Sequence, residues 1–158
     1  MLPEALVGDI DLTVDYVGRI NDRMAGFYRS RYQVDGQECF IAVTQFEESD
    51  ARRAFPCFDH PVKKATFDVV MVIDKDLVAI SNQAVIEETS PGHGNRLVKF
   101  ERTPKMSTYL LCFGVGPLDF FEDQGAVLVR LAAMPGMARY GAFGRAFGTK
   151  SLAFSEAY

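Results

Sequence analysis

The chain has 158 residues, of which 48% are hydrophobic and 24% charged, and its formal net charge is −4. This length suits one domain with a modest core, and the negative charge gives no electrostatic reason to expect nucleic acid or an anionic membrane as a partner. The three scattered cysteines form no C-x-x-C pair, and the N-terminus lacks the pattern of a secretory signal, so the sequence predicts a cytoplasmic protein.

Most of the chain has the patterns of β-strands. The first predicted strand is "DIDLTVDY", where apolar and polar residues alternate. Its apolar members are Ile10, Leu12, Val14 and Tyr16. The segments "GFYRSRYQV" and "ECFIAVTQF" follow as a hairpin that turns at Asp35 and Gly36. The second of these strands is apolar on both faces, so we expect it in the centre of a sheet.

Further strands are predicted along the rest of the chain. "ATFDVVMVI" and "LVAISNQAV" are joined by the polar turn "DKD", "RLVKFERT" and "STYLLCFGVG" pair across a bend at Pro104 and Lys105, and "AVLVRLAA" is the last strand. The pattern changes near Pro135, and residues 137–158 carry apolar side chains at roughly helical spacing despite three glycines. The sequence therefore predicts a mainly β protein with a C-terminal helix.

Few residues could form a catalytic or metal centre by spacing alone. The two histidines, His60 and His93, are isolated from each other, whereas a protein zinc site needs three or four converging ligands. His60 lies three residues after Cys57, but we interpret this thiol as a small buried hydrophobic group. Glycine-rich stretches such as "GAFGRAFG" lack the lysine of a phosphate-binding loop. Composition and spacing thus describe a β-rich domain without a catalytic centre.

Three ordered blocks carry more specific information. They are "NDRMAGFYRSRY", "AVTQFEESDARRAFPCFDHPVKKATFDVVMVIDKDLVAISN" and "FERTPKMSTYLLCFGVG". Together they resemble the N-terminal domain of the M1 family of zinc aminopeptidases, especially its puromycin-sensitive and archaeal tricorn-interacting branches. The sequence departs from the family at "DHP", which stands where many members have "DEP".

The resemblance implies a fold and a place in a larger enzyme. Residues 1–135 would be part of the family's antiparallel β-sandwich or saddle, and residues 136–158 would begin the helix that leads into the catalytic domain. The family's H-E-x-x-H zinc ligands and its G-A-M-E-N substrate stretch are not in this chain. The resemblance therefore implies a fragment of an enzyme that removes N-terminal amino acids from peptides. We expect zinc in the full-length enzyme, and none bound by this chain.

The same resemblance suggests a substrate-binding residue. In the family, the segment that matches "TQFE" overhangs the catalytic cleft and binds the free α-amino group of the peptide substrate. By this match Glu47 would bind the peptide N-terminus and Gln45 would support it, while catalytic and metal-binding residues would lie elsewhere. On spacing alone, Glu47 would instead be a solvated residue at a strand end.

Other residues near this segment have structural interpretations. Asp50, Arg52 and Arg53 are expected to form a short helical turn with internal ion pairs, and "KMSTYLL" a buried strand. The aromatic residues expected in the core are Phe55, Phe58 and Phe67.

The alternative to an enzyme fragment is a stand-alone, non-catalytic β-sandwich that serves as a binding or interaction module. For the fragment, we expect that strands without their partners from the rest of the domain leave an open sheet edge, which would favour self-association because unpaired backbone groups can pair with another chain.

Overall fold

A computed structural model describes residues 7–34, 36–124 and 127–158, and over these residues the chain folds into nine strands and one α-helix. The strands are β1 (Gly26–Val34), β2 (Gln37–Gln45), β3 (Val70–Asp74), β4 (Val78–Ser81), β5 (Val85–Gly92), β6 (Asn95–Phe100), β7 (Phe113–Gly116), β8 (Asp119–Gln124) and β9 (Leu128–Ala133). The helix α1 is Ala142–Ala157. All paired strands are antiparallel, which confirms the mainly β prediction with a C-terminal helix.

A four-stranded sheet has the order β1-β2-β7-β4. The predicted hairpin of β1 and β2 is confirmed, with a register from Gly26 opposite Gln45 to Val34 opposite Gln37. Asp35 of its predicted turn lies outside the described residues. The central position predicted for β2 is also confirmed, because β2 lies between β1 and β7.

A three-stranded sheet has the order β3-β6-β5, and the sheet order corrects one predicted pairing and one predicted strand. β6 and β7 belong to different sheets, so the predicted pairing of "RLVKFERT" with "STYLLCFGVG" is wrong. The predicted strand "LVAISNQAV" is two strands, because Asn82 ends β4 by binding another part of the chain. Its amide donates to the carbonyl of Leu110 (2.8 Å), and its Oδ1 accepts the N–H of Cys112 (2.8 Å).

The first predicted strand, "DIDLTVDY", is wrong. Residues 9–16 have no strand assignment, and their apolar side chains are largely exposed, with Leu12 at 80%. Alternation makes a segment suitable for a sheet, but a strand also needs a neighbour for its backbone N–H and C=O groups. None of the described strands pairs with this segment.

Two clusters of buried side chains form the core. One joins the two sheets through Ile73, Ala79, Val98 and Phe100, and the other lies under the end of β2 and consists of Phe46, Ala51 and Leu111. Val69 packs against both clusters, so they are continuous.

The aromatic core prediction is right for two residues and wrong for one. Phe55 and Phe67 pack against the cluster around Phe46, whereas Phe58 is 83% exposed. The next side chain, Asp59, is buried, and successive side chains of an extended segment point to opposite sides, which turns Phe58 outward. "KMSTYLL" is partly buried, through residues such as Ser107 and Thr108, but it contains a 3₁₀ turn instead of a strand.

Helix α1 packs against the hairpin formed by β8 and β9. A Cβ at Gly148 would make an ordinary contact of 3.5 Å with Val129, and Arg145 donates from Nη1 to the carbonyl of Glu122 (3.1 Å). The opposite side of the helix is apolar and exposed, and its phenylalanines are Phe143, Phe147 and Phe154.

Candidate functional site

The predicted substrate-binding residues lie at the end of β2. Gln45 is the last residue of the strand, opposite Gly26 of β1, and Glu47 follows two positions later. Both side chains are exposed, whereas Phe46 between them is only 2% exposed. Because alternate residues of an extended segment share a side, this places Gln45 and Glu47 on a common solvent-facing surface.

Phe46 anchors this surface to the core through aromatic packing. Its ring meets the rings of Phe55 and Phe113 edge to face, with centroids 5.9 Å apart in each case. The ring of Phe113 also meets that of Phe27 in β1, at 5.1 Å. Such pairs contribute about 0.5–1.5 kcal/mol each beyond their buried area, so they fix the backbone from which Glu47 projects.

The chain turns sharply after Glu47. The peptide bond between Glu47 and Glu48 is cis, and the N–H of Asp50 donates to the carbonyl of Phe46 (2.9 Å). A 3₁₀ turn, Ala51–Arg53, follows, and Arg53 Nε lies 2.6 Å from Asp50 Oδ1. The predicted helical turn is confirmed, together with one internal ion pair.

Arg52 binds outside the turn, to a carboxylate that sequence reasoning did not single out. Asp59 Oδ2 accepts the backbone N–H of Arg52 (3.0 Å) and its Nε (2.9 Å). Arg52 Nη2 also donates to the carbonyl of Asp59 (2.8 Å). The Asp59 side chain is only 3% exposed, so these bonds compensate for burying its charge. They tie the turn that follows Glu47 to the "DHP" segment.

The departure from the family at "DHP" falls on an exposed side chain. His60 is exposed, and its Nδ1 accepts the backbone N–H of Val62 (3.3 Å). The flanking backbone is held by Ser107, whose hydroxyl donates to the carbonyl of Pro61 (2.6 Å). The substitution therefore leaves the packing of this segment intact.

Cys57 has the properties of a structural thiol. It is half-buried, and burial raises the pKa of the Cys57 thiol, with a further increase from the Asp59 carboxylate and a smaller opposing effect of Arg52. An activated cysteine needs a lowered pKa so that the thiolate forms near neutral pH. The environment of Cys57 supports the interpretation of an unreactive core residue.

An apolar groove of about 690 Å³ lies beside the aromatic cluster. One side is formed by the segment that was predicted as the first strand, through Leu12, Val14 and Tyr16. The other side includes Phe55, Phe67, Leu111 and Phe113. The sequence indicates this groove only through the alternation of apolar and polar residues at positions 9–16, which is typical of a segment with one apolar side.

The sequence of this chain has known relatives. The family model of the peptidase M1 N-terminal domain matches residues 2–110. The chain is 44% identical over 147 residues to puromycin-sensitive aminopeptidase of Caenorhabditis elegans, covering 90% of this chain and 16% of the relative. It is 42% identical over 149 residues to aminopeptidase M1 of Arabidopsis thaliana, covering 93% of this chain and 17% of the relative. The chain belongs to the M1 peptidase family, which confirms the resemblance found in its sequence.

The matches also define which part of the family the chain represents. It corresponds to the N-terminal domain, and it spans 16–17% of the length of these curated relatives. No helix among the residues that the structure describes is long and apolar enough to cross a membrane.

The family implies a zinc ion, and the donor side chains of the described residues do not fit one. Over residues 7–34, 36–124 and 127–158, no three His, Cys, Asp or Glu side chains converge as a metal site would require. His60 and His93 are both exposed and lie in separate loops, the second in the turn between β5 and β6. We therefore assign no step of the reaction to a metal held by these residues.

Proposed function

We propose that this chain is the N-terminal β domain of a cytoplasmic zinc aminopeptidase, a hydrolase that removes amino acids from peptide N-termini. In this proposal residues 1–135 form part of the β domain and residues 136–158 begin the helix that leads to a zinc-containing catalytic domain. The chain contributes the segment that binds the substrate N-terminus. Membership of the M1 family supports the activity, and one structural observation supports the site. This observation is the exposed Glu47 on a backbone that Phe46 anchors.

The proposed role of Glu47 follows from the charge of a peptide N-terminus. An α-ammonium group donates hydrogen bonds, and a carboxylate accepts them with additional strength because both groups are charged. The amide oxygen of Gln45 would accept a further hydrogen bond from the same group. A peptide with a blocked N-terminus lacks the positive charge, so it would lose this contact and bind poorly.

Replacing Glu47 tests this role. In the enzyme that contains this chain, Glu47→Ala is expected to lower kcat/KM for peptides with a free N-terminus while the zinc content stays unchanged. A hydrogen bond to a charged group contributes about 1.5–3 kcal/mol, which corresponds to a factor of roughly ten to a hundred or more. Glu48→Ala is the matched control, because Glu48 is the adjacent exposed glutamate and has no proposed role. Unchanged kinetics for Glu47→Ala would contradict the proposal.

The gene gives a second test. An open reading frame that continues beyond the codon for Tyr158 into G-A-M-E-N and H-E-x-x-H motifs would support the aminopeptidase. A stop codon after Tyr158 would favour the alternative of a non-catalytic binding module.

A further inference from the structure

Asp50 and Arg53 close the turn that begins at Glu47. The N–H of Asp50 donates to the carbonyl of Phe46 (2.9 Å), and the N–H of Arg53 donates to the carbonyl of Asp50 (3.1 Å). The two side chains then pair, with Arg53 Nε 2.6 Å from Asp50 Oδ1. The backbone on the C-terminal side of Glu47 is thus held by two successive hydrogen bonds and an ion pair.

Arg53 also contacts the strand opposite Gln45. Gly26, the partner of Gln45 in the hairpin, is buried and has φ of +71°. A Cβ on Gly26 would lie 2.9 Å from the Cβ of Arg53, which is closer than side-chain carbons normally approach. The Arg53 side chain therefore packs directly on the strand that pairs with Gln45, while its guanidinium holds the turn that carries Glu47.

The ion pair is poorly placed to contribute to overall stability. The Asp50 side chain is 25% exposed and that of Arg53 is 56% exposed. Exposed pairs gain little because water and salt screen their attraction. Its local effect is on the turn, because it joins two residues of the segment that directly follows Glu47.

We propose that the Asp50–Arg53 ion pair positions Glu47 for the α-ammonium group of the substrate. Asp50 and Arg53 are positioning residues that act through the turn that follows Glu47. The inference rests on the proposed function of Glu47, and it predicts that the benefit of the pair disappears when Glu47 is absent.

A double-mutant cycle in the enzyme that contains this chain tests the proposal. Arg53→Ala and Asp50→Asn are each expected to lower kcat/KM about two- to fivefold, the range of a partly exposed ion pair. In the Glu47→Ala background neither change is expected to lower kcat/KM further. Arg53→Lys retains the charge, so it should keep most of the kcat/KM that Arg53→Ala loses. Arg31→Ala is the matched control, because it breaks an exposed pair with Glu38 (3.2 Å) near the opposite end of the same hairpin.

The possible outcomes separate this inference from the proposed function. Loss of activity in Glu47→Ala with no loss in Arg53→Ala or Asp50→Asn would overturn the positioning role alone. The positioning role would also be overturned if the double mutants lose the full sum of the two single-mutant losses, because additive losses would indicate a general structural effect. Unchanged kinetics for Glu47→Ala would overturn both the positioning role and the proposed function of Glu47.

Hydrogen exchange of the 158-residue chain gives a readout that does not depend on activity. Arg53→Ala should speed exchange of the Asp50 amide about two- to fivefold and leave the β1–β2 amides unchanged. Equal exchange of the Asp50 amide in both proteins would overturn the inference. Asp50→Asn, which has nearly the same shape as the native residue, serves if Arg53→Ala does not fold.

Discussion

At the scale of single residues, the carboxylate of Asp68 makes a contact whose strength depends on pH. Its oxygens accept hydrogen bonds from Arg102, with Nε at 2.9 Å from Oδ1 and Nη2 at 2.7 Å from Oδ2. The hydrogen bond from Arg102 lowers the pKa of Asp68 below its ordinary value of 3.8 and is a larger effect than desolvation, which raises it; the charges of Arg102 and Lys99 lower this pKa further. The pair joins the segment before β3 to the segment after β6.

We predict that this pair loses its stabilising effect in acid. Above pH 3.8 the carboxylate is charged in both states and the pair contributes fully, whereas below it the unfolded chain takes up a proton first. The contribution of Asp68 therefore falls as the pH falls from about 4 through the lower pKa of the folded state. Urea midpoints measured between pH 5 and pH 2.5 should show a smaller acid-induced decrease for Asp68→Asn than for the parent chain. Equal decreases would contradict the prediction.

The sequence could identify Glu47 only by its motif. Its own surroundings are uninformative, because Glu47 and Glu48 are both exposed carboxylates beside a strand end. The pairing of Arg52 with the buried carboxylate of Asp59 was not predictable from spacing, since a charged side chain is normally solvated. Ser107 and Thr108, which lie about fifty residues further along the chain, hold the backbone around Asp59.

At the scale of elements, the glycines of α1 differ in what surrounds them. A Cβ at Gly144 would lie 3.9 Å from Leu131, and one at Gly148 would lie 3.5 Å from Val129, which are ordinary contacts. A Cβ at Gly141, just before the helix, would overlap the Leu131 side chain. Of these three glycines, only Gly141 lies where a larger residue would force its neighbour to move.

We predict that Gly144→Ala and Gly148→Ala stabilise the helix. Each removes a glycine penalty of up to about 1 kcal/mol without a clash, so helix content and protection of the α1 amides should rise. Gly141→Ala is the control and should give no gain, because Leu131 must move. Circular dichroism with hydrogen exchange measures both effects, and reduced protection in Gly144→Ala would contradict the assigned packing.

Local patterns predicted some elements and non-local contacts determined the others. The β1–β2 hairpin, β9 and α1 have clear periodicity within a short stretch, so they were predicted. β8 was missed because "DFFEDQ" places two aromatics together among charged residues. The division between β4 and β5 depends on Asn82 binding residues 110–112, and the sequence of that stretch alone carries no sign of it.

At the scale of the whole molecule, we predict that this chain alone binds zinc only non-specifically and cleaves no aminoacyl substrate. A zinc site needs three or four protein ligands, and the donor side chains of the described residues do not converge. Metal analysis and calorimetry of the purified chain should find no stoichiometric site, and His60→Ala and His93→Ala should change nothing. A tight site with one zinc per chain would contradict this.

We also predict that the chain self-associates through β3. Among the described strands β3 pairs only with β6, and Val70 and Val72 on β3 are 52% and 58% exposed. An unpaired apolar edge favours pairing between chains, and a lysine there opposes it. Light scattering over a concentration series should show association that Val72→Lys reduces. Val17→Lys is the control, because Val17 is 99% exposed and lies outside any strand; an equal effect of both variants would contradict an edge mechanism.

The order of strands in the four-stranded sheet has a consequence for synthesis on the ribosome. β1 and β2 can pair as soon as both emerge, but Phe46 packs against Leu111 and Phe113, which are translated more than sixty residues later. At a synthesis rate of about 5–20 residues per second, this separation amounts to several seconds. During that interval the turn at Glu47 lacks the packing of Phe46 against Leu111 and Phe113. The segment proposed to bind the substrate is therefore translated early and reaches its final conformation late.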